Sequence, residues 1–245
     1  MNNFRPSINA IPPVVKNLII INAIMLLATY VLQLRGFDLT KILGLHYFAS
    51  PDFRPYQLVT HMFMHGGIMH LVFNMFALWM FGRVLENVWG PKRFFIYYFA
   101  TGLGAAVFYT FVNFIEFQYI ASRMSPENVQ MVMANGAEVL SSGRNYTELA
   151  GKLNLLLNVP TVGASGAVFG ILLGFGMLFP NTELMLLFPP IPIKAKYFVL
   201  GYGAIELFSG IANTGDNVAH FAHLGGMIFG FILIKYWNKT TTHFY

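Results

Sequence analysis

The chain has 245 residues, of which 56% are hydrophobic and only 10% charged, with a formal net charge of +5 and a mean hydropathy of +0.58. Soluble domains carry about 25% charged residues, so this composition excludes an ordinary soluble globule and points to a membrane protein. The absence of cysteine excludes a disulfide framework, a thiol nucleophile and a thiolate metal site.

A transmembrane helix needs roughly 17 to 25 mostly apolar residues, and about six stretches qualify. In chain order they are Leu18 to Leu34, Leu58 to Phe81, Phe94 to Phe117, Ala164 to Phe179, Tyr197 to Ile211 and Val218 to Trp237. The first follows Arg5 and Lys16, but it is longer than a signal-peptide core and lacks a small-x-small cleavage site, so it reads as retained. The loop Arg35 to Gln57 mixes apolar and polar residues and is expected to dip into the membrane interface. A long outer segment at 118–160 contains "VQMVMANGAEVL" and "LAGKLNLLLNV", whose apolar spacing predicts short amphipathic helices. The fourth and fifth spans are short; because bare backbone cannot sit in lipid, a short span predicts a helix ending inside the protein or beside a water-filled cavity. Ahead of the fifth span, Pro189, Pro190 and Pro192 in "LLFPPIPIKAK" break the helix and mark a candidate gate. The whole of 1–245 reads as one membrane domain without internal repeats.

Basic residues lie densely at one set of span ends (Arg5, Lys16, Arg83, Lys92, Arg93, Lys194, Lys196, Lys235, Lys239) and sparsely along the longer loops of the other side. This asymmetry predicts a multi-pass protein of the cell (plasma or inner) membrane with both termini cytoplasmic, and it accounts for the positive charge without a nucleic-acid partner. Trp89, Tyr97, Tyr98, Tyr236 and Trp237 fall near span ends, where aromatic belts sit at the headgroups.

Ionisable or strongly polar side chains inside a span are costly, so each marks a candidate functional site. They gather in "THMFMHGGIMHLVFNM", at Ser165 in "VGASGAVFG", and in "NVAHFAHLGGMIFG". His223, Gly226 and Gly230 share one helix face, and Gly226 and Gly230 permit close approach of another backbone. Gly166, Gly170 and Gly174 form the complementary groove beginning one residue after Ser165. Docking of the two faces brings Ser165 beside His223. A serine hydroxyl becomes a good nucleophile when an imidazole takes its proton. Asp216 is seven residues before His223 and no acid lies on the sixth span, so a Ser–His dyad is expected rather than a triad. His70 and Asn74, spaced i and i+4, share a helix face and suit two donors converging on an oxyanion.

These residues resemble the rhomboid family of intramembrane serine proteases. "GASG" carries Ser165, "AHLGGMIFG" is similar to the family's AHxxGxxxG with His223, and "HGGIMHLVFN" to its HxxxxHxxxN with His65, His70 and Asn74. The resemblance implies an all-α polytopic six-transmembrane-helix bundle, its short fourth helix carrying the nucleophile. It implies an endopeptidase that cleaves transmembrane segments of single-span proteins, with Ser165 as nucleophile and His223 as base. His70, Asn74 and the Ser165 N–H would line the oxyanion hole, Gly163 would support the loop into the nucleophile's helix, and Glu86 in "GRVLENVWG" would be a structural hydrogen-bonding residue. No cofactor is implied, since water is the second substrate; membrane lipid and single-span substrates are the implied partners. Two departures stand out. The family's frequent Trp-Arg in the first loop is here Tyr56 and Gln57, and the aromatic that stacks on the catalytic histidine is Phe169 rather than tyrosine.

Blander readings accompany each residue. Ser165 could be a small residue at a helix crossing. His220, one turn before His223, is the rival base. His61 and His65 have metal-ligand spacing, but no HExxH glutamate or clustered carboxylate accompanies them; His65 is expected instead to brace the first loop by hydrogen bonds, and no metal is expected. Glu206 reads as a buried acid without catalytic role. The alternative functions are a catalytically silent rhomboid-like protein that binds membrane clients and, more remotely, a transporter with histidine relays. A soluble hydrolase is disfavoured because position 167 is alanine where its G-x-S-x-G turn needs glycine.

Overall fold

The computed structural model describes residues 11–185, 190–212 and 219–240. Arg5, Pro189, Asp216 and Val218, invoked above, lie outside them.

The chain begins with α1 (Pro13–Gln33), whose proline at the first helical position presets the backbone. Its buried residues Val15, Leu18, Asn22, Leu26 and Thr29 form one stripe. The opposite face leaves Ile24 and Leu27 more than half exposed, which suits contact with lipid tails. A short α2 (Leu39–Leu43), capped by Asp38 accepting from the Lys41 N–H, opens the first loop. The loop closes on α3 (Gln57–Thr60) and a 3-10 turn (His61–Phe63).

The second apolar stretch is not one helix from Leu58. The chain leaves helical geometry at Met64 and resumes at Ile68, running through α4 (Ile68–Ala77), a π turn (Leu78–Gly82) and α5 (Arg83–Trp89). The adjacent glycines Gly66 and Gly67 supply the break; propensity lost at two successive glycines outweighs the apolar residues around them. At the far end Gly90, with φ of 77°, reverses the chain in the left-handed region that favours glycine.

Pro91 then starts α6 (Pro91–Ala121), whose 31 residues reach about 46 Å at 1.5 Å per residue, well beyond a hydrocarbon core of about 30 Å. The excess projects and carries a second apolar cluster: Ile120 packs with Tyr47 of the first loop and with Val132, Leu153 and Leu157. The last three belong to α7 (Pro126–Ser141) and α8 (Glu148–Asn158), so the 118–160 segment is a helical cap rather than a free loop.

The centre is α9 (Ser165–Leu178), 14 residues long and buried on nearly all sides. It packs against α6 and against α11 (His220–Thr240). Glycine makes this possible: Gly166 faces Ala105, Gly170 faces Thr101, and Gly226 of α11 lies directly on the Gly166 carbonyl. Tyr97 and Tyr98 are fully buried, and the Tyr97 hydroxyl donates to the Gly170 carbonyl at 2.8 Å. They are core residues, not the headgroup belt expected from their place near a span end. An antiparallel pair of strands, β1 (Glu183–Met185) with β2 (Pro192–Lys194), lies between α9 and α10 (Ala195–Ala212); among the described residues these are the two strands of an otherwise helical fold.

Among the described residues, three helices are long and apolar enough by length and composition to cross a membrane: Pro13–Gln33, Ile68–Trp89 and Pro91–Ala121; Ser165–Leu178 is a shorter apolar helix.

Candidate active site

Ser165 is the first residue of α9. The Val168 N–H bonds back to the Ala164 carbonyl, so the amides before it, including that of Ser165, have no helical acceptor and present partial positive charge to the space around the serine. The segment leading in is held from both sides. Leu45 and Thr161 exchange two backbone hydrogen bonds, and the Gly163 N–H donates to the His61 carbonyl at 3.0 Å. Gly163 has φ of 133°, a conformation that strains any residue with a Cβ.

Gly163 also makes room. A Cβ there would stand 3.0 Å from His70 Nε2 and 3.4 Å from Ser165 Oγ, so the histidine and the serine look onto the same small volume. His70 Nδ1 accepts from the Gly66 N–H at 3.3 Å. With Nδ1 as acceptor, a neutral ring carries its proton on Nε2 and offers a donor to that volume. Asn74 is buried and gives one amide hydrogen to the His70 carbonyl, 2.8 Å away; its second donor is left for another acceptor.

His223, on α11, is 8% exposed. Its ring lies flat on Phe169, with centroids 4.1 Å apart and planes 7° from parallel. Phe169 is one turn after Ser165, so the stack fixes His223 over the face of α9 that carries the serine. Among the described residues Ser165 Oγ makes no hydrogen bond; such contacts commonly tighten only in the substrate complex.

An acid does reach this histidine. Glu206 of α10 is buried, and its Oε2 lies 2.9 Å from His223 Nδ1 and 2.7 Å from His220 Nδ1. The expectation that no carboxylate reaches His223 is therefore corrected. Position along the chain gives no sign of this contact, because the acid arrives from the preceding helix, where Glu206 by itself reads as a buried acid without catalytic role. His220 turns its Nδ1 to the same carboxylate and meets His223 edge-on at 6.4 Å.

The remaining residues lie around this centre. Buried His65 has no hydrogen bond at either ring nitrogen; it packs edge-on to His70 at 5.1 Å rather than bracing the loop. Gln57 does the bracing: its carbonyl accepts from the amides of His46 and Arg54, and its amide donates to the carbonyls of Ile42 and Asp52. Glu86 accepts from the Val14 and Val15 amides at 2.9 and 2.8 Å, capping α1 far from the serine in sequence. His61 Nδ1 bonds to the Gln57 carbonyl. The three-residue group of metal-ligating type among the described residues is Glu206, His220 and His223.

A family model described as Rhomboid domain matches residues 52–239. Rhomboid protein 1, mitochondrial, of Saccharomyces cerevisiae is 28% identical over 183 residues, 75% of this chain and 42% of that protein. RHOMBOID-like protein 12, mitochondrial, of Arabidopsis thaliana is 32% identical over 175 residues, 71% of this chain and 44% of the relative. Rhomboid protease GluP of Bacillus subtilis is 25% identical over 181 residues, 72% of this chain and 25% of that protein. The chain spans about half the length of the first two relatives. Since the matched region contains every residue of the site and most of the helical core, the chain belongs to the rhomboid family.

Proposed function

We propose that the protein is an intramembrane serine endopeptidase that cleaves transmembrane segments of single-span proteins. The observation that carries this reading is the convergence of His223 and His70 on the start of α9: one ring is stacked on Phe169, the other stands against Gly163 beside Ser165 Oγ. In this mechanism His223 Nε2 takes the Ser165 hydroxyl proton as Oγ attacks the scissile carbonyl. The resulting oxyanion is met by His70 Nε2–H, the spare Asn74 amide hydrogen and the Ser165 N–H. Protonated His223 then passes its proton to the leaving nitrogen, and a water, deprotonated by the same ring, hydrolyses the acyl-enzyme. No cofactor takes part.

The six-span arrangement belongs to the same reading: α9 would span only about 21 Å, leaving its serine end recessed below the membrane surface where water must reach it. Both termini would be cytoplasmic, in a cell (plasma or inner) membrane, on the strength of the basic residues at one set of span ends; the relatives, by their names, include mitochondrial proteins. A second reading, a silent protein that binds membrane clients, draws on the lack of a hydrogen bond at Ser165 Oγ.

The test is cleavage of a single-span protein co-reconstituted in lipid vesicles. Wild type is expected to produce two fragments cut within the span, while Ser165→Ala and His223→Ala leave it whole. A folded wild type that retains the protein uncut, yet binds it, would favour the silent reading.

A further inference from the structure

Glu206 is buried in the second half of α10, between Ile205 and Leu207, where an ionisable side chain is costly enough to require a reason. One of its oxygens lies at hydrogen-bonding distance from two imidazoles, at 2.7 and 2.9 Å. A metal could in principle join these three side chains. Tetrahedral ligands about 2.0 to 2.1 Å from zinc stand roughly 3.3 Å from one another, so both separations are too short for a metal between them and right for a proton.

We propose that Glu206 is a positioning residue for His223, turning the serine–histidine pair into a Ser165–His223–Glu206 relay in which the acid comes from α10. This inference rests on the protease reading above. A carboxylate only accepts, so the proton shared with His223 sits on Nδ1, leaving Nε2 as the basic atom. The Phe169 stack sets the plane of the ring, and the Glu206 bond sets its rotation within that plane; together they remove the freedom that would let Nε2 swing from Ser165. When His223 carries the serine proton, the carboxylate faces an imidazolium. His220 supplies a second donor to the same oxygen, which offsets the desolvation of a buried carboxylate. His220, Glu206 and, across the serine, His70 are the titratable groups that face His223 among the described residues.

The test uses the full-length protein in lipid vesicles, comparing wild type, Glu206→Gln, Glu206→Asp and Ser165→Ala. Glu206→Gln is expected to lower kcat by at least about 10-fold, below the roughly 10⁴-fold seen when the acid of an established triad is amidated. KM should be unchanged, because Glu206 meets the base and not the substrate, and Glu206→Asp should restore part of kcat. Separately, nitrogen-15 NMR of histidine-labelled wild type reads the tautomer of His223 without any turnover: a proton on Nδ1 supports the relay, and a neutral ring protonated on Nε2 overturns it. Undiminished kcat in Glu206→Gln likewise overturns it, as would zinc retained stoichiometrically by wild type and lost in Glu206→Gln. If wild type is folded but inactive, the protease reading fails, while the NMR result still decides the Glu206–His223 contact.

Discussion

Gly226→Ala places a single methyl group at the tightest contact between α9 and α11. The added Cβ would collide with the Gly166 carbonyl oxygen and stand 2.8 Å from the Gly166 carbonyl carbon and 3.3 Å from its Cα. Contacts below 3.0 Å are essentially never made by real Cβ atoms, and here the opposing atoms are backbone, which cannot rotate aside. The helices must therefore part by something on the order of 1 Å, and such overpacking costs about 1 to 3 kcal/mol. The same displacement carries His223, one turn earlier on α11, away from Ser165, the residue before Gly166. Misplacement by about 1 Å can cost on the order of 100-fold in rate. Gly201→Ala is the control, since a Cβ there meets nothing within 4 Å, and it should match wild type or gain up to about 1 kcal/mol from helix propensity. Thermal unfolding in detergent and kcat on a transmembrane substrate check both halves. Wild-type Tm and kcat in Gly226→Ala would refute the claim that glycine-mediated contact sets the distance between serine and base.

Glu86→Ala removes both acceptors for the Val14 and Val15 amides and should cost on the order of 3 kcal/mol, with Glu86→Gln losing about half, because its amide keeps one acceptor oxygen; equilibrium unfolding separates the two. Gln57→Ala removes four hydrogen bonds within the first loop, each worth about 1 kcal/mol, and should speed amide hydrogen exchange at His46 and Arg54 while leaving α9 protected. Phe169→Ala removes the ring beneath His223, worth about 1 kcal/mol or roughly a fivefold fall in kcat; Phe169→Tyr, which keeps the ring, should stay near wild type.

The membrane class was legible because it depends on composition, and the contact of Gly226 with Gly166 was legible because small residues at a spacing of four define a helix face whatever its neighbours. What escaped depended on neighbours. Glu206 and His223 are separated by a change of helix, so their contact is set by how α10 leans on α11, which periodicity does not encode. Tyr97 and Tyr98 read as belt residues because they lie near a span end, yet both are buried, Tyr97 against Trp89 and Trp237, which one-dimensional position cannot show. The interruption at Met64 to Gly67 was hidden by the apolar residues around it, although the adjacent Gly66 and Gly67 signalled it. Gln57 stands out in the sequence as a departure in the first loop, but that its side-chain amide binds four backbone groups follows from loop conformation, not from residue type.

The central claim is that Ser165 is a nucleophile activated by His223. A fluorophosphonate reacts preferentially with a serine activated by a neighbouring base, and peptide mass spectrometry locates the adduct. Folded wild type is expected to be labelled on the peptide containing Ser165, and Ser165→Ala and His223→Ala are expected to show no labelling. An adduct on another residue, persistence of labelling in His223→Ala, or loss in His220→Ala with retention in His223→Ala would contradict the claim.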